Sequence, residues 1–307
     1  MLIAVISVKG SPGTTTFSLA LAARWPGPAR TLVVEADPSG GDIATRFSLE
    51  SAPSLLSLAA SARHSSDPAL VWQHAQALQG GLPVVAAPPD ADRARAALVA
   101  LAPDPSGGMG ALRSAANLPN TVVIADCGRI DPGSPAMSIV QEADVLVLLT
   151  RARADDLAHL ARRLPAVGRW APRPVLLLVG KGYSTAEVAR ELGVRPLGRV
   201  PEDEHGAAVL CGRPSRLRWR RGGPSHSALG RFAHKVATVL VPQQQETPDA
   251  APGPLAANSQ NVPTLRTLPD TPNGPVAARG GQLLAAHAVQ RRPHGFGEVD
   301  SQGGAAS

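Results

Sequence analysis

The sequence LIAVISV at residues 2–8 runs directly into KGSPGTTT at residues 9–16. The first stretch is almost continuously apolar, which predicts a strand covered on both of its faces. The glycines, serine and proline of the second stretch predict a tight turn, and the Ala- and Leu-rich residues 15–25 predict a helix after it. Backbone amides in such a turn, together with the positive end of the helix, form a nest for phosphate oxygens. An ordinary glycine and proline turn with a threonine cap explains the same residues.

The alternation of strand and helix continues along the chain. Apolar runs predict further strands at 31–36, 82–87, 121–125, 145–150, 174–179 and 196–200. Helical patterns occupy 54–63, 68–78, 91–102, 154–167 and 226–240. Strands that alternate with helices indicate an α/β fold with a mostly parallel central sheet and helices on both faces, which is a three-layer sandwich.

The composition excludes several classes of protein. The 307 residues include only two cysteines, Cys127 and Cys211, which are too few for a disulfide scaffold and predict a reducing cytoplasm. No apolar run approaches the roughly 18 residues of a membrane-spanning helix, and the first residues lack the basic start of a secretory signal. We therefore expect a cytoplasmic protein without a transmembrane segment. The net charge of +6 is weak evidence for a nucleic-acid partner, because arginine is over-represented throughout the chain.

The amino-acid composition of the sequence changes after Val241. Residues 242–307 are rich in Pro, Gly, Ala and Gln and have no sustained periodicity. Such a segment cannot bury enough apolar surface to offset the entropy lost on ordering, so we expect it to be disordered. The expected organisation is one folded domain at 1–241, followed by a Pro/Gly/Ala-rich disordered tail at 242–307.

Several motifs in the first part of the chain occur in the order found in one known family. KGSPGTTT at 9–16 resembles the deviant phosphate loop of the MinD/ParA family of P-loop ATPases. EADP at 35–38 resembles the family's switch segment, and VVIAD at 122–126 resembles its Walker B strand. ADVLVLLT at 143–150 is similar to the family's next strand, and LGRVPED at 197–203 is similar to its closing stretch. The resemblance implies a P-loop NTPase-like fold.

The resemblance also implies a site that binds ATP together with Mg²⁺. The residues that match the family's nucleotide contacts are Lys9, Gly10, Ser11, Gly13, Thr14, Thr15, Thr16 and Pro201. Those that match its metal ligands are Thr15, Glu35 and Asp126. Two residues match catalytic ones: Asp37, which orients the attacking water, and Lys9, which reaches the partner's phosphates across a nucleotide-bound homodimer. A carboxylate that caps the turn after a buried strand is the alternative explanation for Asp126, and the matching loop favours the metal-binding one.

The chain departs from the family pattern at three places. Thr14 stands where the family has the lysine that neutralises the β- and γ-phosphates, and threonine carries no charge. Glu35 stands where the family has an aspartate, and Gly180-Lys181 replaces the adenine-contacting asparagine.

Two hypotheses about the function remain open. The chain is a dimerising ATPase that binds ATP weakly, hydrolyses it very slowly and positions or partitions a cargo such as DNA, a pilus or a secretion apparatus. Alternatively, it is a non-catalytic pseudo-ATPase scaffold that binds an acidic partner.

A dense group of arginines precedes the last predicted helix. This arginine cluster consists of Arg213, Arg216, Arg218, Arg220 and Arg221. Guanidinium groups bind phosphates as a fork, so the cluster predicts contact with a polyanion such as non-specific DNA or another anionic surface. A solvated loop in an arginine-rich protein explains the same residues.

Overall fold

An eight-stranded sheet lies at the centre of the computed structural model, which describes residues 1–103, 108–210 and 227–241. The strands are β1 (Leu2–Ser7), β2 (Arg30–Glu35), β3 (Gln76–Ala77), β4 (Pro83–Val85), β5 (Thr121–Arg129), β6 (Val145–Arg151), β7 (Pro174–Val179) and β8 (Gly198–Val200). The helices are α1 (Thr14–Ala23), α2 (Ile43–Phe47), α3 (Leu55–Ala62), α4 (Leu70–Gln73), α5 (Ala91–Ala100), α6 (Ala111–Ala116), α7 (Met137–Glu142), α8 (Ala154–Val167), α9 (Thr185–Leu192), α10 (Glu204–Val209) and α11 (Ala228–Leu240).

The strand order is β3-β4-β2-β5-β1-β6-β7-β8. Every neighbouring pair is parallel except β3 and β4, which are antiparallel. From β1 the chain moves outward through β2 to β4, returns at β5, and then crosses to the other side through β6, β7 and β8. Ligands of open parallel sheets bind in the crevice at the carboxyl ends of the strands where the order reverses, so this topology directs attention to the carboxyl end of β1.

The sheet is buried on both faces, as the apolar strands predict. In β1, Leu2, Ala4 and Ile6 belong to one core, while Ile3 and Val5 belong to the other. The first core is covered by α3, α5, α6, α7 and α8, and the second by α1 and α11. Successive side chains of a strand point to opposite faces, so a strand between two helical layers must be apolar at every position. The predicted mostly parallel sheet with helices on both faces is confirmed.

One predicted helix, at 68–78, is wrong in its second half. The helix α4 ends at Gln73, and the short strand β3 begins at Gln76. Gln76 pairs with Val84 and Ala77 with Pro83, so the hairpin with β4 forms the edge of the sheet. Tertiary pairing overrides a helical pattern here, because a helix this short gains little from its own hydrogen bonds.

The expected tail at 242–307 and the arginine cluster lie outside the described residues, and the boundary at Val241 remains a prediction. The residues that the structure describes belong to one compact unit. Among them, no helix is long and apolar enough to cross a membrane.

Candidate nucleotide site

The loop between β1 and α1 is shaped by two glycines in the left-handed region. Gly10 has φ 64° and Gly13 has φ 97°, a backbone conformation that other residues rarely adopt. A Cβ atom at either position would meet no atom within 4 Å, so open space borders the loop. Gly13 is the N-cap of α1 and offers no capping side chain. The amides of the first turn therefore point toward the loop, which is the arrangement of an anion-binding nest.

Asp126 lies beside this loop in β5, three residues before the strand ends at Arg129. It is in register with Val5 of β1 and with Glu35 of β2, and it is fully buried. Burial raises the pKa of Asp126 to about 6, although the nearby Thr15 and Thr14 hydroxyls and the Gly128 N–H act in the opposite direction. Neither carboxylate oxygen makes a hydrogen bond of ordinary geometry within the described residues. A buried carboxylate without a partner is costly, and a cation is the natural group to satisfy it.

Asp37 approaches the same edge from the loop after β2. Its carboxylate packs against Gly128, where a Cβ atom would lie 1.9 Å from the Asp37 Oδ2 atom. The Ser39 N–H donates to Asp37 Oδ1 at 2.8 Å. Burial raises the pKa of Asp37, and the charge of Asp37 in turn raises the pKa of Asp126. The two carboxyl groups therefore lie close enough to interact.

Glu35, the third acidic residue of this edge, is already fully engaged by the backbone. Its Oε1 atom accepts hydrogen bonds from the N–H groups of Asp42 and Ile43, at 2.7 and 3.1 Å, and its Oε2 atom accepts one from Ala87 at 2.9 Å. Burial raises its pKa to about 7. Glu35 thus ties the loop after β2 to the end of β4. The metal-ligand role expected from the resemblance remains untested, and it would require these bonds to be exchanged.

Gly41 is the residue that makes room for the Glu35 carboxylate. A Cβ atom at this position would lie 2.2 Å from Glu35 Oε2 and 2.8 Å from the Ala87 Cβ atom. We expect Gly41→Ala to lower the free energy of unfolding by about 2 kcal/mol, the middle of the range for an overpacked buried site. Urea unfolding measures the change. The control is Gly133→Ala, where the nearest atom to the added Cβ, Asp131 Oδ1, is 3.5 Å away. Equal stability of the two variants would contradict this account.

Lys9 pairs with an acidic residue of its own chain. Its Nζ atom lies 3.1 Å from Asp155 Oδ2, in the first turn of α8. The Lys9 hydrogen bond lowers the pKa of Asp155. Lys9 is therefore held beside the loop between β1 and α1 by an ion pair within its own chain. Its contact with the phosphates of a partner subunit remains a prediction.

Pro201 lies on the opposite wall of a cavity from the phosphate loop. The cavity has a volume of about 330 Å³, and both Pro201 and Glu202 line it. Gly13 and Thr16 line its other side. The structure thus brings three of the predicted nucleotide contacts, Gly13, Thr16 and Pro201, to one space.

The carboxyl edge of the sheet accordingly gathers the loop residues, Asp37 and Asp126, with Glu35 next to them. Within the described part of the chain, no group of three or more His, Cys, Asp or Glu side chains surrounds a common metal position. Mg²⁺ in proteins is usually held by one or two carboxylates together with substrate phosphates, and Asp126 and Asp37 are two neighbouring carboxylates at this edge. The sequence analysis does not predict the contact of Gly128 with Asp37. The glycine two residues after Asp126 is the feature of the sequence that indicates a close approach to the backbone there.

Solved structures of other proteins have a backbone similar to that of this chain. No protein-family model and no curated protein sequence matches the chain. Among solved structures, the chain is similar to a ParA family ATPase from Chlorobium tepidum, with a TM-score of 0.60 and 14% identity over 78% of this chain and 99% of that chain. It is also similar to the septum site-determining protein MinD of Pyrococcus horikoshii complexed with Mg-ADP, with a TM-score of 0.55 and 17% identity over 78% and 96% of the two chains.

A third similar structure is an ATP complex of a McdA variant from Cyanothece, with a TM-score of 0.52 and 19% identity over 78% of this chain and 96% of that chain. At such identities the likeness concerns the path of the backbone rather than individual side chains. The chain has the fold of the MinD/ParA ATPases.

Proposed function

We propose that the chain is a MinD/ParA-like nucleotide-binding protein that binds ATP with Mg²⁺ and hydrolyses it very slowly. In this proposal it forms a homodimer when nucleotide is bound, and it positions or partitions a cargo such as DNA, a pilus or a secretion apparatus. The observation that carries the proposal is the buried, unpartnered carboxylate of Asp126 beside Thr14, Thr15 and the glycine-shaped loop. The Mg-ADP and ATP complexes of the similar MinD and McdA structures support the choice of ligand.

The donor set fits magnesium. Thr15 would provide a hydroxyl ligand, Asp126 would hold the ion through a water molecule, and phosphate oxygens and further waters would supply the remaining ligands. The bound ion supplies Lewis acidity that stabilises charge on the phosphates. The nest formed by residues 9–16 would hold the phosphate oxygens through backbone N–H groups, and these donors need no lysine.

In this proposal, Asp37 acts on the water that attacks the terminal phosphate. Burial raises its pKa, so its ionised carboxylate is a stronger base than that of an exposed aspartate. The contact with Gly128 and the hydrogen bond from Ser39 hold it in one orientation. Lys9 would have to leave Asp155 before it could reach the phosphates of a partner subunit.

Thr14 supports very slow turnover, and it also supports the second candidate function. A lysine at this position would add a positive charge beside the developing charge of the transition state, and Thr14 adds none. If turnover is absent altogether, the same fold serves as a pseudo-ATPase scaffold for an acidic partner. In both versions of the proposal, the arginine cluster would bind a polyanionic cargo.

The test is a calorimetric titration of the full chain with ATP, in Mg²⁺ and in EDTA. We expect micromolar or weaker binding that becomes at least about tenfold weaker when Mg²⁺ is removed. Asp126→Ala should abolish this dependence on Mg²⁺. The matched control is Asp92→Ala, which removes an exposed carboxylate from α5. Absence of nucleotide binding by the wild-type chain would overturn the proposal.

A further inference from the structure

Three cationic side chains line a second cavity next to the candidate nucleotide site. This basic cleft is formed by Arg151 at the end of β6, Arg153 before α8 and Lys181 after β7. Its volume is about 400 Å³, and Glu202 supplies the acidic side chain of its lining. The cleft lies at the same carboxyl edge of the sheet as the phosphate loop.

The two segments that carry these cations are fastened to each other through Ala152. The Ala152 N–H donates to the Val179 carbonyl at 3.2 Å, and the Tyr183 N–H donates to the Ala152 carbonyl at 2.9 Å. Gly182 has φ 140°, and a Cβ atom there would lie 1.8 Å from the Ala152 carbonyl oxygen. The Arg199 guanidinium also donates to two carbonyls of the same loop, those of Gly180 and Tyr183. The cleft is therefore a preformed platform.

The charge of the basic cleft is largely uncompensated. Ala152 is fully buried, and the residues on either side of it, Arg151 and Arg153, are exposed. Their side chains make no ion pair or hydrogen bond with any other described residue. Lys181 lies 3.8 Å from Glu202, which is a loose contact between exposed groups. Three cations thus face one carboxylate, and the cleft attracts a compact anion.

The basic cleft adjoins the cavity that the phosphate loop borders. Val179 and Glu202 line both spaces, while Gly13 and Thr16 line only the one next to the loop. If the 5′-phosphates of a nucleotide occupy the loop and its ribose lies in this cavity, the ribose is next to Val179 and the basic cleft. A second phosphate on that ribose would then point to the cations. Guanidinium groups hold phosphate oxygens by paired, charge-assisted hydrogen bonds, and the fixed backbone of the cleft keeps the two arginines beside this space.

We propose that the ligand of this chain is a nucleotide that carries an additional phosphate on its ribose, and that the basic cleft binds this phosphate. The inference rests on the proposed nucleotide site and names the class of nucleotide that the site selects. The alternative is that acidic side chains of a second copy of the chain pair with the same cations. The experiment below distinguishes a bound phosphate from such a dimer contact.

The experiment is a calorimetric titration of the full chain, in low salt with Mg²⁺, using ADP and its 2′- and 3′-phosphorylated forms. We expect at least one phosphorylated form to bind about tenfold more tightly than ADP. The variant R151A/R153A/K181A should remove this difference. The control R162A/R163A changes two other exposed arginines of the same region, on α8, and should preserve it. Circular dichroism would check that the variants fold.

Each outcome decides the inference. Equal affinity for ADP and both phosphorylated forms overturns it and leaves the proposed nucleotide site intact. A difference that survives in R151A/R153A/K181A also overturns it, because other residues then bind the phosphate. Loss of dimerisation in that variant, without any preference for the phosphorylated nucleotides, assigns the cations to a second copy instead. Binding of none of the three nucleotides overturns this inference, and the titration with ATP then decides separately whether the proposed function holds.

Discussion

Asp126→Asn should raise the free energy of unfolding of the ligand-free protein by up to about 3 kcal/mol at pH 8. Burial raises the pKa of this carboxyl group from 3.8 to about 6, and the charge of Asp37 adds to the effect. The folded state therefore holds an unfavourable negative charge at pH 8, with no hydrogen-bond partner of ordinary geometry. Asparagine has nearly the same shape and no charge, so the variant avoids that cost. Such a gain is expected where a residue is kept for binding rather than for stability.

The stability of the wild type should depend on pH, and the pKa shifts set the sign of this dependence. Because the folded-state pKa of Asp126 is raised, the unfolded chain releases this proton at a lower pH than the folded chain does. The stability of the wild type should therefore fall as the pH rises from about 4 to about 6, within the range set by the two pKa values. Glu35 adds to this fall in stability. Burial raises its pKa from 4.5 to about 7, so the stability continues to fall until about pH 7.

Urea unfolding of the wild type and of Asp126→Asn, in EDTA between pH 4 and pH 8, measures both effects. The variant should lose less stability over this range than the wild type. Asp92→Asn, an exposed carboxylate on α5, is the control and should follow the wild type. Mg²⁺ and ATP should stabilise the wild type far more than Asp126→Asn. A variant that is less stable than the wild type at pH 8 would show that Asp126 has a structural partner.

The parts of the site that the sequence predicts are those whose signals are local. The apolar run at 2–8, the glycine-rich turn and the helix after it are neighbours in sequence, and the structure has them as β1, the loop and α1. Asp126 follows four apolar residues, so its place near the end of a buried strand can also be read directly from the sequence. The fold survives at low identity because it depends on this pattern of burial rather than on particular side chains.

The contacts that the sequence does not reveal join residues far apart in the chain. The Glu35 carboxylate accepts a hydrogen bond from Ala87, on a strand whose position beside β2 is set by tertiary pairing. Lys9 meets Asp155 only because β6 lies next to β1. The basic cleft needs the ends of β6 and β7 to be adjacent. Periodicity identifies elements and their faces, but it carries no information about which strand ends meet.

Thr14→Lys should tighten the binding of Mg²⁺ and ATP by about tenfold to a hundredfold. Thr14 is the first residue of α1 and is only 5% exposed, and its hydroxyl lies near Asp126. A lysine in its place would bring an ammonium group to the buried carboxylate and to the phosphates that the loop is shaped to hold. The added charge would also lower the pKa of Asp126, which favours the ionised form that binds magnesium.

Calorimetry would measure the affinity, and phosphate release at several protein concentrations would measure the turnover. The control is Thr185→Lys, because Thr185 is likewise the first residue of a helix, α9, and follows a capping residue. Turnover should rise in Thr14→Lys, whereas Lys9→Ala should remove the turnover of the wild type and its dependence on protein concentration. Unchanged or weaker binding by Thr14→Lys would mean that the loop does not hold a triphosphate. The chain would then use the MinD/ParA fold as a scaffold, and its buried Asp126 would need a different cation.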